Sequence, residues 1–272
     1  MTFPEQFGPY QLHELVNSGG MADLFIATNP AKETVAIRRL HPTSLFDLTP
    51  KRRFVRGCEV LAKICHHDYV VQYFSHGKID GRHYLCMEYV EGDNLKMLAA
   101  NGDEVLAENI GNILIEMAQA LEHVHDCGYM HLDFKPENVV LSRNASLRLV
   151  DFDLSLPKPD KPEKLAENPG TPAYMSPEQL MRQPVDHRAD IFAYGASAFE
   201  LLSGQKAFPG DSADEILRKQ LDRSDFQELR SLNPEVPAAL ERIVFKCLET
   251  DPDRRYPNMA VLVRDLQIAL YV

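Results

Sequence analysis

Asp133, Lys135 and Asn138 lie within one run, His131-Leu132-Asp133-Phe134-Lys135-Pro136-Glu137-Asn138, and Asp151-Phe152-Asp153 begins thirteen residues after Asn138. Together these residue types make up the kit of phosphoryl transfer. That reaction needs a carboxylate to accept a hydroxyl proton and hard oxygen ligands for Mg²⁺. Asp133 is the candidate base. Lys135, two residues on in an extended loop, lies on the same side and can neutralise a phosphoryl group. Asp151 and the amide oxygen of Asn138 are the candidate metal ligands. Asn17-Ser18-Gly19-Gly20 separates two strand-like runs, and a glycine turn there lets backbone N–H groups approach phosphates. By itself a Gly-Gly hairpin is more often structural.

The elements that must position these groups are legible as a change of period along the chain. Tyr10–Val16, Asp23–Thr28, Thr34–Leu40 and Arg82–Tyr89 are rich in β-branched and aromatic residues and bounded by turn signals such as Asn29-Pro30 and Asp80-Gly81. Between them Thr49-Pro50 opens a helix in which Phe54, Cys58, Leu61, Ala62 and Cys65 recur at helical spacing. Beyond residue 93 helices dominate. One carries Ile110, Leu114, Met117, Ala118, Leu121 and His125 and ends at Gly128; a very apolar one runs Asp190–Ser203; the last runs Met259–Tyr271. Leu147–Val150 is a short apolar strand, and the proline-rich stretch 156–170 reads as a long exposed loop. Strands followed by helices predict an α+β chain of two lobes. The N-lobe covers about 8–89, the hinge 88–93 and the C-lobe 93–272.

Composition narrows the function classes. The 272 residues carry a net charge of -11, with 44% hydrophobic and 25% charged residues, as in an ordinary globular protein. An acidic balance argues against nucleic-acid or anionic-membrane binding. The exception is a local patch at Lys51-Arg52-Arg53 and Arg56, which on a helix face is most simply solvated. Five scattered cysteines, with no C-x-x-C pair, argue against a disulfide framework or a zinc site and for a reducing, cytoplasmic setting. The most apolar stretch, Ile191 to Leu202, is too short and carries Glu200, so no membrane span is expected.

In order along the chain stand Gly19-Gly20-Met21-Ala22, Val35-Ala36-Ile37, Met87-Glu88-Tyr89-Val90-Glu91-Gly92, the Asp133 run, Asp151-Phe152, Gly170-Thr171-Pro172-Ala173-Tyr174-Met175-Ser176-Pro177-Glu178, Asp190 and Asp251-Pro252-Asp253-Arg254-Arg255. With these motifs the chain resembles the protein Ser/Thr kinases, most closely the bacterial Hanks-type branch, over roughly residues 10–270. The resemblance implies a bilobal protein-kinase-like fold with ATP and Mg²⁺ between the lobes and a protein substrate or partner. It implies that Val16, Gly19, Gly20, Leu24, Ala36, Arg38, Met87, Glu88, Val90 and Val140 surround the nucleotide. It further implies that Thr171 hydrogen-bonds Asp133 and Lys135, and that Glu178 pairs with Arg255. Asp190 is read as a helix N-cap that also bonds the catalytic loop, and His131 as a packing residue. Adjacent His66 and His67 do not share a helix face and make no metal site. A dinucleotide-binding enzyme is a remote alternative, because Gly19-Gly20 does not open a helix.

Four positions depart from the family pattern. The strand residue that should be Lys is Arg38, and the helix position nineteen residues on, where its Glu partner belongs, is Gly57. Glu59 lies about 200° around a helix from Gly57 and does not replace that Glu. Asp153 replaces the glycine of the Asp-Phe-Gly triplet, and Leu132 replaces the arginine before the catalytic Asp. From Leu156 to Gly170 there is no Ser, Thr or Tyr, so regulation by phosphorylation of that loop is not expected. Arg is a poor substitute for a compact ammonium, and a misplacement worth about 4 kcal/mol slows transfer roughly a thousandfold. The expectation is therefore a pseudokinase or impaired kinase that still binds Mg–ATP. The alternative is an active or weakly active Ser/Thr kinase with Asp133 as base. In that alternative Arg38 is held by Asp153 in place of the missing helix carboxylate. If positions 38 and 57 alone are limiting, Arg38→Lys with Gly57→Glu should raise activity.

Overall fold

Strands β1 (Glu5–Phe7), β2 (Tyr10–Ser18), β3 (Ala22–Thr28) and β4 (Thr34–Leu40) lead into helix α1 (Thr49–Ile64), after which β5 (Tyr73–Ile79) and β6 (Arg82–Glu88) complete an antiparallel sheet of order β1-β2-β3-β4-β6-β5. This computed structural model describes residues 4–42, 48–64 and 66–270. Cys65 and the expected helix end at Tyr271 lie outside the described residues.

The chain continues through β7 (Gly92–Asn94), α2 (Leu95–Asn101), α3 (Glu104–Asp126) and β8 (Tyr129–Met130) to a single 3₁₀ turn at Pro136–Asn138. Then come β9 (Val139–Ser142), β10 (Leu147–Leu149), β11 (Leu156–Pro157), β12 (Glu163–Lys164), α4 (Pro177–Leu180) and β13 (Pro184–Val185). The last elements are α5 (Arg188–Ser203), α6 (Ala213–Asp222), α7 (Leu229–Leu232), α8 (Ala238–Cys247) and α9 (Met259–Leu270).

The apolar stripe of α1, Phe54, Cys58, Leu61 and Ile64, is buried on the same core as Leu40 and Leu85 of the sheet and Leu121, Phe134, Phe152 and Phe192 of the helical part. The opposite face of the sheet carries its own cluster, including Phe7, Leu12, Phe25, Val35 and Ile37. One core thus fastens sheet, helix and helical part together, so the cleft between them is held by packing. Helix α3 starts where the Asp103 carboxylate accepts the Leu106 N–H at 3.0 Å, which satisfies one of the free amides of its first turn. Every residue of α5 from Ala189 to Glu200 is buried, so this helix is the axle of the helical part.

Two expectations change. Strand β5 went unread because Tyr-Phe-Ser-His-Gly-Lys-Ile alternates weakly and only its pairing with β6 makes it a strand. The stretch 156–170 is exposed but stapled: Leu156 and Pro157 pair with Met130 and Tyr129, and Glu163 and Lys164 pair with Val185 and Pro184. Leu156 and Leu165 also pack on Met130, Leu132, Val185 and Ala189.

Candidate active site

Tight local geometry shapes the loop that carries Asp133. Leu132 adopts a left-handed φ of 63°, costly for a branched-chain residue, and is held there by the Asp190 carboxylate. Asp190 Oδ1 accepts the Leu132 N–H at 2.8 Å and Oδ2 the His131 N–H at 2.8 Å, while His125 Nε2 lies 2.8 Å from Oδ2. Asp190 is not the N-cap of α5. It sits in the first turn, His187 takes the cap position, and the carboxylate is wholly given to the loop and His125. Burial pushes the Asp190 carboxyl up, but the hydrogen bonds and His125 outweigh it and hold it below the usual carboxylate range. His131 is fully buried between Phe134 and Phe152, and burial holds its imidazole below the usual value, as suits a packing residue.

Asp133 stands at the centre of a polar network. Its Oδ2 accepts from Lys135 Nζ at 2.7 Å and from Asn138 Nδ2 at 3.2 Å; among the described residues its Oδ1 accepts only the Thr171 hydroxyl, at 3.3 Å. Lys135 Nζ also donates to Thr171 Oγ1 at 2.8 Å. Asn138 bonds the Asp133 carbonyl through Nδ2 at 2.8 Å, so its amide oxygen is the atom left to ligate a cation.

A second network faces the first. It is joined by the Val150 N–H, which donates to the Asn138 carbonyl at 2.9 Å. Arg38, on β4 between Leu24 and Leu85, sends Nη1 to Asp153 Oδ1 at 2.9 Å and Nη2 to Asp153 Oδ2 at 2.7 Å. The same nitrogens reach Asp151 at 3.3 and 3.5 Å. The Arg38 guanidinium also lies over the Phe54 ring, 5.4 Å from its centroid. Burial opposes the charge on Arg38, yet Asp151 and Asp153 raise its basicity above the ordinary value. Burial pushes Asp153 up to about 6, with Asp151 adding to the rise and Arg38 opposing it. At Asp151 burial is outweighed by Arg38 and the Asp153 N–H, so its carboxyl stays low and is available as an anion.

The other positions expected around a nucleotide are spread over the sheet, its turns and β9. Ala36 pairs with Ile26 and Met87, Leu24 with Asn17, and Val16 is 47% exposed on β2. The Gly19 N–H closes a turn on the Ala22 carbonyl at 3.0 Å, and Gly20 has open space where a side chain would stand. Met87 and Val90 pack on the main core, and Val140 pairs with Asn94 on the helical side. Glu88 turns its carboxylate to Arg148 Nε at 3.0 and 3.2 Å and to the Gln72 N–H at 3.2 Å, and its own N–H donates to the Gln72 carbonyl at 2.9 Å. Among the described residues no three His, Cys, Asp or Glu side chains converge on a metal position. Asp151 with Asn138 fits Mg²⁺, an ion that completes its shell with phosphate and water oxygens.

A family profile described as "Protein kinase domain" matches residues 10–265. The chain belongs to the protein kinase family. It is 31% identical over 271 residues to a probable serine/threonine-protein kinase of Streptomyces coelicolor, covering 97% of this chain and 40% of that protein. It is 31% identical over 265 residues to the serine/threonine-protein kinase PrkC of Bacillus subtilis, covering 96% of this chain and 40% of PrkC. The serine/threonine-protein kinase PknH of Mycobacterium tuberculosis is 30% identical over 254 residues, covering 93% of this chain and 40% of PknH. This kinase domain therefore spans about 40% of the length of these relatives. No helix among its described residues is long and apolar enough to cross a membrane.

Two features of this kinase site escaped the sequence. Arg56 Nη2 donates to the Asp153 carbonyl at 3.0 Å, and Glu167 accepts from Arg53 at 2.7 and 3.2 Å while lying 3.6 Å from Arg52. Arg52, Arg53 and Arg56, read as a solvated patch, face the loop that contains Glu167. The available signal was the basic first turn of α1, since cations at a helix N-terminus oppose its dipole unless an anion compensates them. The structure also joins Glu178 to Arg255 by two 2.7 Å bonds, both residues buried.

Proposed function

We propose that this kinase domain transfers the γ-phosphoryl group of Mg–ATP to a Ser or Thr hydroxyl of a protein. The carrying observation is the Lys135 ammonium bridging Asp133 Oδ2 and Thr171 Oγ1. It fixes the base beside a segment that can receive a polypeptide. Asp133 Oδ1, with one 3.3 Å bond, is the less engaged oxygen and takes the hydroxyl proton. The substrate oxygen forms its bond to phosphorus as the bond from phosphorus to the β–γ bridging oxygen breaks, and ADP leaves with that electron pair. Lys135 balances charge on the transferred group. Mg²⁺, held by Asp151 and Asn138, would draw charge from the phosphates. Arg38, held by Asp153, supplies the positive charge that Lys gives elsewhere in the family, which favours transfer over its loss.

A second reading, nucleotide binding with transfer impaired or lost, draws on one contact. Arg38 also pairs with Asp151, the carboxylate that Mg²⁺ needs. A [γ-³²P]ATP assay on a Ser/Thr-rich protein substrate separates the two. Transfer that falls at least a hundredfold in Asp133→Asn supports the kinase reading. Mg–ATP binding without transfer supports the second.

A further inference from the structure

We propose that Arg38, Gly57 and Asp153 are one interdependent positioning unit, a transposed ion pair in which the metal-binding segment replaces the helix as the source of the carboxylate. The inference rests on the kinase reading and names the residues that position its nucleotide site.

The steric observation is at Gly57. A Cβ built there would lie 2.5 Å from Asp153 Oδ1 and 2.9 Å from both the Asp153 Cα and N. Two of those atoms are main chain, so no rotamer of Asp153 relieves the contact. The Asp153 segment occupies the volume into which a helix side chain would project. This explains a glycine in the middle of α1, where it costs about 1 kcal/mol relative to Ala. It also means that any side chain at 57, a glutamate included, must displace Asp153 from Arg38. The absent helix Glu and the present Asp153 are mutually exclusive occupants of one space.

The electrostatic observation completes the unit. Asp153 takes the guanidinium bidentately, and its side chain is only 6% exposed. Both Nη atoms of Arg38 face carboxylates, closely at Asp153 and at longer range at Asp151, so the two acidic side chains hold the guanidinium from the same edge. In a strand-to-helix pair, the position of the cation depends on where the helix sits. Here the pair ties β4 directly to a residue two positions from Asp151, and the helix joins through Arg56 on the Asp153 carbonyl. The helix therefore lacks a carboxylate with which to release or capture Arg38.

Arg38→Lys with Gly57→Glu is expected to raise activity only if those two sites alone are limiting, and on this proposal Asp153 limits as well. The test compares wild type, R38K/G57E and R38K/G57E/D153G for Mg–ATP Kd and for kcat/KM. It also compares wild type, G57A and G57A/D153G by thermal melting. The double variant should bind Mg–ATP at least tenfold more weakly than wild type, and the triple variant should return to within threefold. G57A should lower Tm, although Ala favours helix, and adding D153G should raise Tm above that of G57A. A double variant that binds Mg–ATP as well as wild type, or a G57A protein that melts no lower than wild type, overturns the unit. Absence of transfer by wild type overturns the kinase reading alone, because the Kd and melting comparisons still decide the unit. If wild type binds no Mg–ATP, melting decides it.

Discussion

Arg38 and Asp153, separated by 115 residues in sequence, meet through two parallel hydrogen bonds of 2.9 and 2.7 Å. Planar fork-to-carboxylate pairing is a geometry that Lys cannot make, so the strand cation and its partner are matched in kind. Removing one member leaves a buried charge short of a partner. Asp151 retains part of the interaction, so Asp153→Asn should destabilise the domain by about 1–3 kcal/mol. Urea denaturation of the two proteins checks this.

Glu178 and Arg255 form a buried ion pair on the helical side, with Arg255 also donating to the carbonyls of Glu249, Thr250 and Arg188. Glu178→Gln keeps the volume and one acceptor, whereas Glu178→Ala strands the guanidinium. The alanine variant should lose about 3–5 kcal/mol and the glutamine variant clearly less. Equal losses in equilibrium unfolding would refute the electrostatic account.

Asp190 gives the domain a specific acid sensitivity. Its folded-state carboxyl is held below the unfolded value despite burial, by hydrogen bonds to His125 and to the loop N–H groups. A lowered carboxylate stabilises the fold above its unfolded pKa of about 3.9, and that contribution is lost as pH falls through the lower folded value. Asp190→Asn should therefore be less stable than wild type at pH 7, with the gap narrowing below about pH 4. Unfolding curves between pH 3 and 7 measure the gap. His125 and the neighbouring His131 face the same carboxylate.

Glu167 lies at the basic first turn of α1, and the Arg53 hydrogen bond draws its carboxyl below the usual range. It is an acidic anchor in a loop that has no Ser, Thr or Tyr from 156 to 170. Glu167→Ala should leave the melting temperature close to wild type, because exposed pairs contribute little. It should nevertheless speed tryptic cleavage after Lys164 severalfold. High salt should have the same effect on wild type through screening. Unchanged cleavage would show that the short strands alone hold the loop.

Much of the architecture was local and therefore legible. The stripe of α1, the strands flanking Gly19-Gly20, and the Gly204 that ends α5 in a left-handed conformation are written in neighbouring residues. Strand β5 was not, since its identity comes from β6. The role of Asp190 was half legible: its attachment to the loop followed from the resemblance, but its place inside α5 depends on where the helix begins.

By itself the sequence determined which groups are available for chemistry: Asp133, Lys135, Asn138 and Asp151, with an arginine at 38 and no carboxylate at 57. It also marked Asp153 as an extra anion nearby. Only the tertiary structure decided that these departures fit one another. Pairing residues 115 positions apart depends on how sheet and helical part close on a shared core, and Gly57 acquires a reason only when the Asp153 main chain lies against it. Local periodicity places a side chain on a face; it carries no information about which distant backbone fills the space opposite.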